Sequence, residues 1–237
     1  MRITELVNLQ TARNHQLPHL YLDMDGVQAD FFTAWANWHG NKFGMSHVER
    51  YKDIGSKEQR EQSISELSAE GPEFIQNFFA TLPTLSGGQK LVRWLTQNRI
   101  PFTVLSAPLR GMHAPSIAGK KTWLDAHNPG TSGTAIFTGD KARMATQGGQ
   151  PNILVDDFKK YINAWDNAGG IGILYRDDMV DDVISQLEQI YKPQTDSLNE
   201  TTSAGCIATV AQPLGELQQR LPHREKGKYK NSAPVVR

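Results

Sequence analysis

Five short apolar runs punctuate the chain, at residues 19–24, 101–106, 133–138, 152–156 and 171–175, and segments of helical periodicity lie between and beside them. The helical segments are 87–98, 116–126, 158–168 and 179–190; in the first, Leu91, Trp94 and Leu95 fall on one face. A strand can reach a parallel neighbour only through a crossover, and an amphipathic helix is the crossover that buries its own apolar stripe on the sheet. Gly169-Gly170 closes one such helix before the last strand. The expected fold is therefore α/β, with a doubly wound parallel sheet.

The interval from about residue 31 to 82 breaks this rhythm. It is helical in character and rich in aromatics, with Phe31, Phe32, Trp35, Trp38, Phe43, Tyr51, Phe74, Phe78 and Phe79. A connection of about fifty residues far exceeds an ordinary loop and predicts a small helical cap inserted after the first strand. The resulting division is a leader at 1–17, a core made of 18–30 and 83–192, the cap at 31–82, and a C-terminal tail at 193–237. Low apolar density and several Ser and Thr residues predict that the tail is mobile, with a basic, solvated end at Arg224, Lys226, Lys228 and Lys230.

Composition narrows the partners. Twenty-five basic residues balance 25 acidic ones, so no global field draws the chain to an extended nucleic acid or an anionic membrane. No run has the roughly 18 apolar residues of a membrane span. The single cysteine, Cys206, excludes an internal disulfide and a cysteine-based zinc site, which points to a cytoplasmic address. A homodimer is neither required nor excluded.

In an open parallel sheet, ligands bind beyond the carboxyl ends of the strands. The first strand ends in Asp23-Met24-Asp25-Gly26, the second in Ser106-Ala107-Pro108, the third in Gly139-Asp140-Lys141 and the fourth in Asp156-Asp157. Two carboxylates as close as Asp23 and Asp25 repel each other unless a cation or a shared proton compensates, which suggests a hard metal such as Mg²⁺. Each residue alone has a plainer explanation: an acidic turn at Asp23 and Asp25, a cap at Ser106 or Asp156, a solvated helix face at Lys120 and Lys121. Their joint placement at successive strand ends is what distinguishes a site.

The same residues carry a resemblance. Asp23-Met24-Asp25-Gly26-Val27-Gln28-Ala29-Asp30-Phe31 resembles the first motif of the haloacid dehalogenase superfamily of aspartyl phosphotransferases, and within it the 5'(3')-deoxyribonucleotidases. Gln28 departs from the pattern, where an apolar residue is usual. Ser106-Ala107-Pro108 resembles the second motif, Lys120 followed by Trp123-Leu124 the third, Asp140-Lys141 a substrate-side lysine, and Leu154-Val155-Asp156-Asp157 the fourth. The matches run in family order over about residues 19–176.

The resemblance implies a Mg²⁺-dependent phosphomonoester hydrolase with a Rossmann-type core, acting on a small phosphorylated substrate, a (deoxy)nucleoside monophosphate. Asp23 would be the nucleophile that forms an aspartyl-phosphate, and Asp25 the general acid and base. Ser106 and Lys120 would bind phosphate, with Lys121 the competing choice one helical step away. Phe31 and Lys141 would meet the substrate, and Asp23, Asp25 through its carbonyl, and Asp156 or Asp157 would hold the metal. Dehalogenases lack the second aspartate, so Asp25 favours phosphate chemistry. Where the family frames the base with an aromatic pair, this chain offers Arg50-Tyr51-Lys52-Asp53-Ile54. Two alternatives remain: a phosphatase for sugar phosphates or 3'-phosphate nucleic-acid ends, and a non-catalytic binding protein of the same fold.

Overall fold

The structure, a computed structural model, describes residues 17–45, 48 and 50–191; the expected tail and all but Leu17 of the expected leader lie outside the described residues. The five apolar runs form strands that pair in parallel. They are β1 (Leu20–Leu22), β2 (Phe102–Ser106), β3 (Ile136–Phe137) and, after a two-residue hairpin pair β4 (Thr146–Gln147) and β5 (Gln150–Pro151), β6 (Ile153–Asp156) and β7 (Ile171–Leu174). The main sheet has the order β3-β2-β1-β6-β7, with Tyr21 opposite both Thr103 and Leu154. β1 is thus the centre from which the chain first winds one way, to β2 and β3, and then the other, to β6 and β7. A crevice opens at such a reversal because the connections on the two sides diverge.

Between β1 and β2 come α1 (Phe31–Phe43), a 3₁₀ turn (Tyr51–Ile54), α2 (Lys57–Ser68), α3 (Pro72–Ala80) and α4 (Ser86–Gln97). The remaining helices are α5 (His113–His127) after β2, α6 (Lys159–Asn167) after β6 and α7 (Val180–Tyr191) after β7. The small β4–β5 hairpin is an addition to the expected pattern. Its strands are polar and exposed, so they carry no apolar periodicity from which to foresee them.

Alternation along β1 sorts the core into two faces. Leu20 and Leu22 pack with Ile153, Val155, Ile173, Leu91, Leu95 and Leu187 beneath α4 and α7. Tyr21 points the other way, to Leu105, Leu154, Ile162 and Trp165 beneath α6. A third cluster joins the inserted helices to the sheet: Phe31, Trp35, Leu67, Ile75 and Phe79 pack with Val104, Trp123 and Leu124. Close approach of α3 to α5 is possible because residue 119 is glycine; a Cβ there would lie 2.2 Å from the Gln76 carbonyl oxygen. Within the insertion, Trp35 Nε1 donates to Ser63 Oγ at 2.9 Å, and Ser63 Oγ lies 2.8 Å from His39 Nδ1, tying α1 to α2.

Candidate active site

The turn after β1 is built by its own backbone. Asp23 N donates to the Val155 carbonyl at 3.0 Å, which continues the sheet, and the chain then folds back so that the amides of Gln28 and Ala29 both reach the Met24 carbonyl. Gly26 adopts φ +74°, and a Cβ on it would lie 2.6 Å from Asp157 and 2.8 Å from the Phe32 ring. Only glycine fits both the backbone and the space. The result brings the first and fourth strand ends into contact, with Phe32 beside them.

Three carboxylates converge there: oxygens of Asp23, Asp156 and Asp157 all lie within 4.8 Å of one another. Asp156 is fully committed, accepting from the Phe158 amide at 2.8 Å and from Lys141 Nζ at 2.6 Å. Lys141 Nζ also pairs with Asp23 Oδ1 at 2.9 Å. Burial raises the Asp156 carboxyl to about 6, with Asp23 adding to the rise and Lys141 opposing it. Burial and then the charges of Asp23 and Asp156 push Asp157 up to about 8. One ammonium among three acids leaves negative charge uncompensated. An all-oxygen set of this kind suits a hard divalent cation.

Asp25 turns away from this cluster. Its Oδ2 accepts from Lys120 Nζ at 2.6 Å, while its Oδ1 is buried and has no hydrogen-bond partner among the described residues. Burial raises the Asp25 carboxyl, and Lys120 is the strongest influence in the opposite direction. Lys120 spends its other donors on Ser106 Oγ at 3.0 Å and the Ala107 carbonyl at 2.7 Å, and its ammonium lies 5.0 Å from the centre of the Phe79 ring. Because Ser106 Oγ accepts that bond, its own proton is free for another acceptor.

The choice between Lys120 and Lys121 is decided by helix phase: Lys120 is fully buried at the site and Lys121 is exposed. Lys141, expected to meet the substrate, is buried and bridges Asp23 and Asp156. Phe31, expected to meet the substrate, is buried in the cluster below the insertion, with its ring stacked on Phe79 at 5.7 Å and tilted against Trp35 at 5.9 Å. The neighbouring Phe32 borders Gly26 and Asp157 and packs 4.8 Å from Tyr51.

Two residues escaped the sequence reading. Gln28 is fully buried; its Nε2 donates to the Asp23 carbonyl at 2.8 Å, and its Oε1 accepts from Asn128 Nδ2 at 2.5 Å. Its departure from the usual apolar residue was the available signal, but its partner lies 100 positions away. The other is Tyr161, whose ring centre is 4.6 Å from Lys141 Nζ. A cavity of about 500 Å³ opens beside Lys141 and Tyr161. A second, of about 560 Å³, lies at the amino ends of the central strands, lined by His19, Tyr21, Arg99 and Tyr191, and contains none of the clustered carboxylates.

The family described as 5' nucleotidase, deoxy (pyrimidine), cytosolic type C matches residues 17–191. Among solved structures, a haloacid dehalogenase family hydrolase from Deinococcus radiodurans, described with bound phosphate and sodium, is 13% identical with a TM-score of 0.45, covering 74% of this chain and 98% of that one. A family IA, variant 3 hydrolase of the same superfamily from Entamoeba histolytica is 16% identical with a TM-score of 0.42, covering 74% of this chain and 90% of that one. No curated protein matches the sequence.

Proposed function

Because the chain belongs to the family of cytosolic type C 5' nucleotidases, deoxy (pyrimidine), it is a phosphoric monoester hydrolase, and we propose that it dephosphorylates (deoxy)nucleoside monophosphates through a phosphoryl group carried on Asp23. The observation that carries the reading is Asp25: a half-buried carboxyl with one oxygen held by Lys120 and the other buried without a hydrogen-bond partner among the described residues, beside a cluster of three acids. That is the arrangement of a group that exchanges a proton next to a nucleophile.

In the first half-reaction, Asp23 attacks phosphorus while the ester P–O bond breaks. Asp25 delivers a proton from Oδ1 to the departing sugar oxygen, and the nucleoside leaves. In the second, Asp25, now ionised, takes a proton from water as the water oxygen attacks phosphorus. The bond between phosphorus and Asp23 breaks, and inorganic phosphate is released. Ser106 donates its free proton to a phosphoryl oxygen, and Lys120 keeps Asp25 and Ser106 in register. Lys141 balances part of the charge that gathers around Asp23.

The acid cluster fits Mg²⁺, with Asp23, Asp157 and the Asp25 carbonyl as its holders and Asp156 fixing Lys141 beside them. Bound there, Mg²⁺ lowers the repulsion between the carboxylates and the anionic substrate. The helices of 31–82 act as a cap. They present the half-buried Phe32 and Tyr51 rings to the base, in place of Phe31. This pair favours a nucleotide over a sugar phosphate. The family's cytosolic designation agrees with a cytoplasmic site of action, and among the described residues no helix is long and apolar enough to cross a membrane.

The test is phosphate release from a panel of deoxynucleoside monophosphates, sugar phosphates and 3'-phosphorylated oligonucleotides, with Mg²⁺, for the unaltered protein and Asp23→Asn. Mononucleotides should be preferred, and the variant should lose about 10³-fold or more in kcat. Equal turnover by Asp23→Asn removes Asp23 as nucleophile; turnover of oligonucleotides alone removes the mononucleotide reading.

A further inference from the structure

The cavity beside Lys141 is larger than the phosphate being transferred requires. Its volume of about 500 Å³ is on the scale of a small-molecule pocket. Its wall comes from three places in the sequence: Ala107, Pro108, Arg110 and His113 after β2, Gly139 to Ala142 after β3, and Lys160, Tyr161 and Ala164 on α6. Lys141 connects it to the chemistry: the residue lines this wall, and its ammonium pairs with Asp23 at 2.9 Å.

The wall carries positive charge. Arg110 and Lys160 are both exposed, and neither has an ion-pair partner within 4.0 Å among the described residues. In a chain with no net charge, two unpaired cations brought together from residues 50 positions apart make a local positive field. Asp140 is the one carboxylate on the wall, and His113 stands beside the cations. The Tyr161 hydroxyl has no hydrogen-bond partner among the described residues, and its ring covers Lys141. A guanidinium, an ammonium and a phenol around one opening are donors that match the oxygens of a second phosphate.

We propose that this cavity receives a second phosphate where the nucleotide carries one, so that a nucleoside bisphosphate binds beside the monophosphates and more tightly than they do, with one phosphate at Asp23 and the other among Arg110, Lys160 and Tyr161. The proposal rests on the phosphatase reading of the same site for its first phosphate, and on the unpaired cations for its second.

Equilibrium binding separates the two. The inactive Asp23→Asn protein, with Mg²⁺, is titrated calorimetrically with thymidine 3',5'-bisphosphate, thymidine 5'-monophosphate and thymidine 3'-monophosphate. The bisphosphate should bind at least about tenfold more tightly than either monophosphate, the gain from one charge-assisted contact or more. Adding Arg110→Ala and Lys160→Ala together should bring that ratio close to one. Lys121→Ala, which removes an exposed lysine from α5, should leave it in place. Equal binding of the three ligands overturns the proposal, as does a preference that survives the double substitution. Because the readout is binding, it decides the second-phosphate site even if hydrolysis assays reject Asp23 as nucleophile.

Discussion

Gln28 offers the sharpest test of how the site is held. It is fully buried, and replacing it with the apolar residue usual at this position, as Gln28→Leu, removes two hydrogen bonds at once. The Asp23 carbonyl loses its 2.8 Å donor, and Asn128 Nδ2, on a residue only 6% exposed, loses its 2.5 Å acceptor. A buried polar group left unpaired costs about 1–3 kcal/mol. Two such groups, partly offset by the better transfer of leucine into an apolar site, predict a net loss of about 3 kcal/mol. For a domain of this size that lowers the melting temperature by ~6–12 °C. Asn128→Ala alone leaves Gln28 Oε1 unpaired, but the double variant leaves only the Asp23 carbonyl. The two costs should therefore fall short of additivity by about 2 kcal/mol or more in a double-mutant cycle read by calorimetry or chemical denaturation. Since Gln28 also fixes the backbone of the proposed nucleophile, Gln28→Leu should lower kcat at temperatures where it is fully folded. Additive losses, or a kcat equal to that of the parent, would refute the argument that this amide positions Asp23.

Acid chemistry at the cluster gives a second prediction. Asp157 is raised to about 8, so without metal the folded protein holds a proton that the unfolded chain releases near pH 4. Stability of the metal-free protein should fall as pH rises from about 5 to 8, Mg²⁺ should restore it, and Asp157→Asn should flatten the decline; a metal-free melting temperature that rises over this window contradicts the assignment. His39 titrates in the opposite sense. Burial lowers its pKa, and its Nδ1 lies 2.8 Å from Ser63 Oγ, which accepts from Trp35. Protonation is thus favoured in the unfolded chain, and acidification below about pH 6.5 should cost stability; His39→Gln should lose that part of the dependence, and an unchanged pH profile in the variant would show that His39 takes no part. Finally, Lys120→Met should remove the cation from Asp25 while keeping most of the bulk over Phe79. Phosphate release should drop by about tenfold or more, and the alkaline limb of the kcat profile should move up in pH, since the carboxyl loses the charge that opposes its raised pKa. A profile identical to the parent's would exclude Lys120 as the partner that tunes Asp25.

The sequence by itself determined the sheet and its dangerous ends. Apolar runs and helical patterns located all five main strands to within a few residues, because a strand buried on both faces must be apolar and a crossover helix must carry an apolar stripe. They also located Asp23, Asp25, Ser106 and the Asp156-Asp157 pair at strand ends, since polar residues that close an apolar run can face only a ligand, water or a cap. Which acids meet which cations was decided by tertiary structure alone. Lys120 and Lys121 are adjacent in sequence, yet about 100° of helix rotation buries one against Asp25 and leaves the other in solvent. Lys141 reads as a loop lysine until β3 and β6 place it between Asp23 and Asp156. Phe31 and Phe32 are likewise neighbours that a helix sends to different places, one to the core and one to the edge of the site. Gln28 and Asn128, and Arg110 and Lys160, become partners only when distant segments close on each other. Local patterning is a property of a few residues and their hydration; pairing depends on rotation and register, and those are fixed only when the whole core packs.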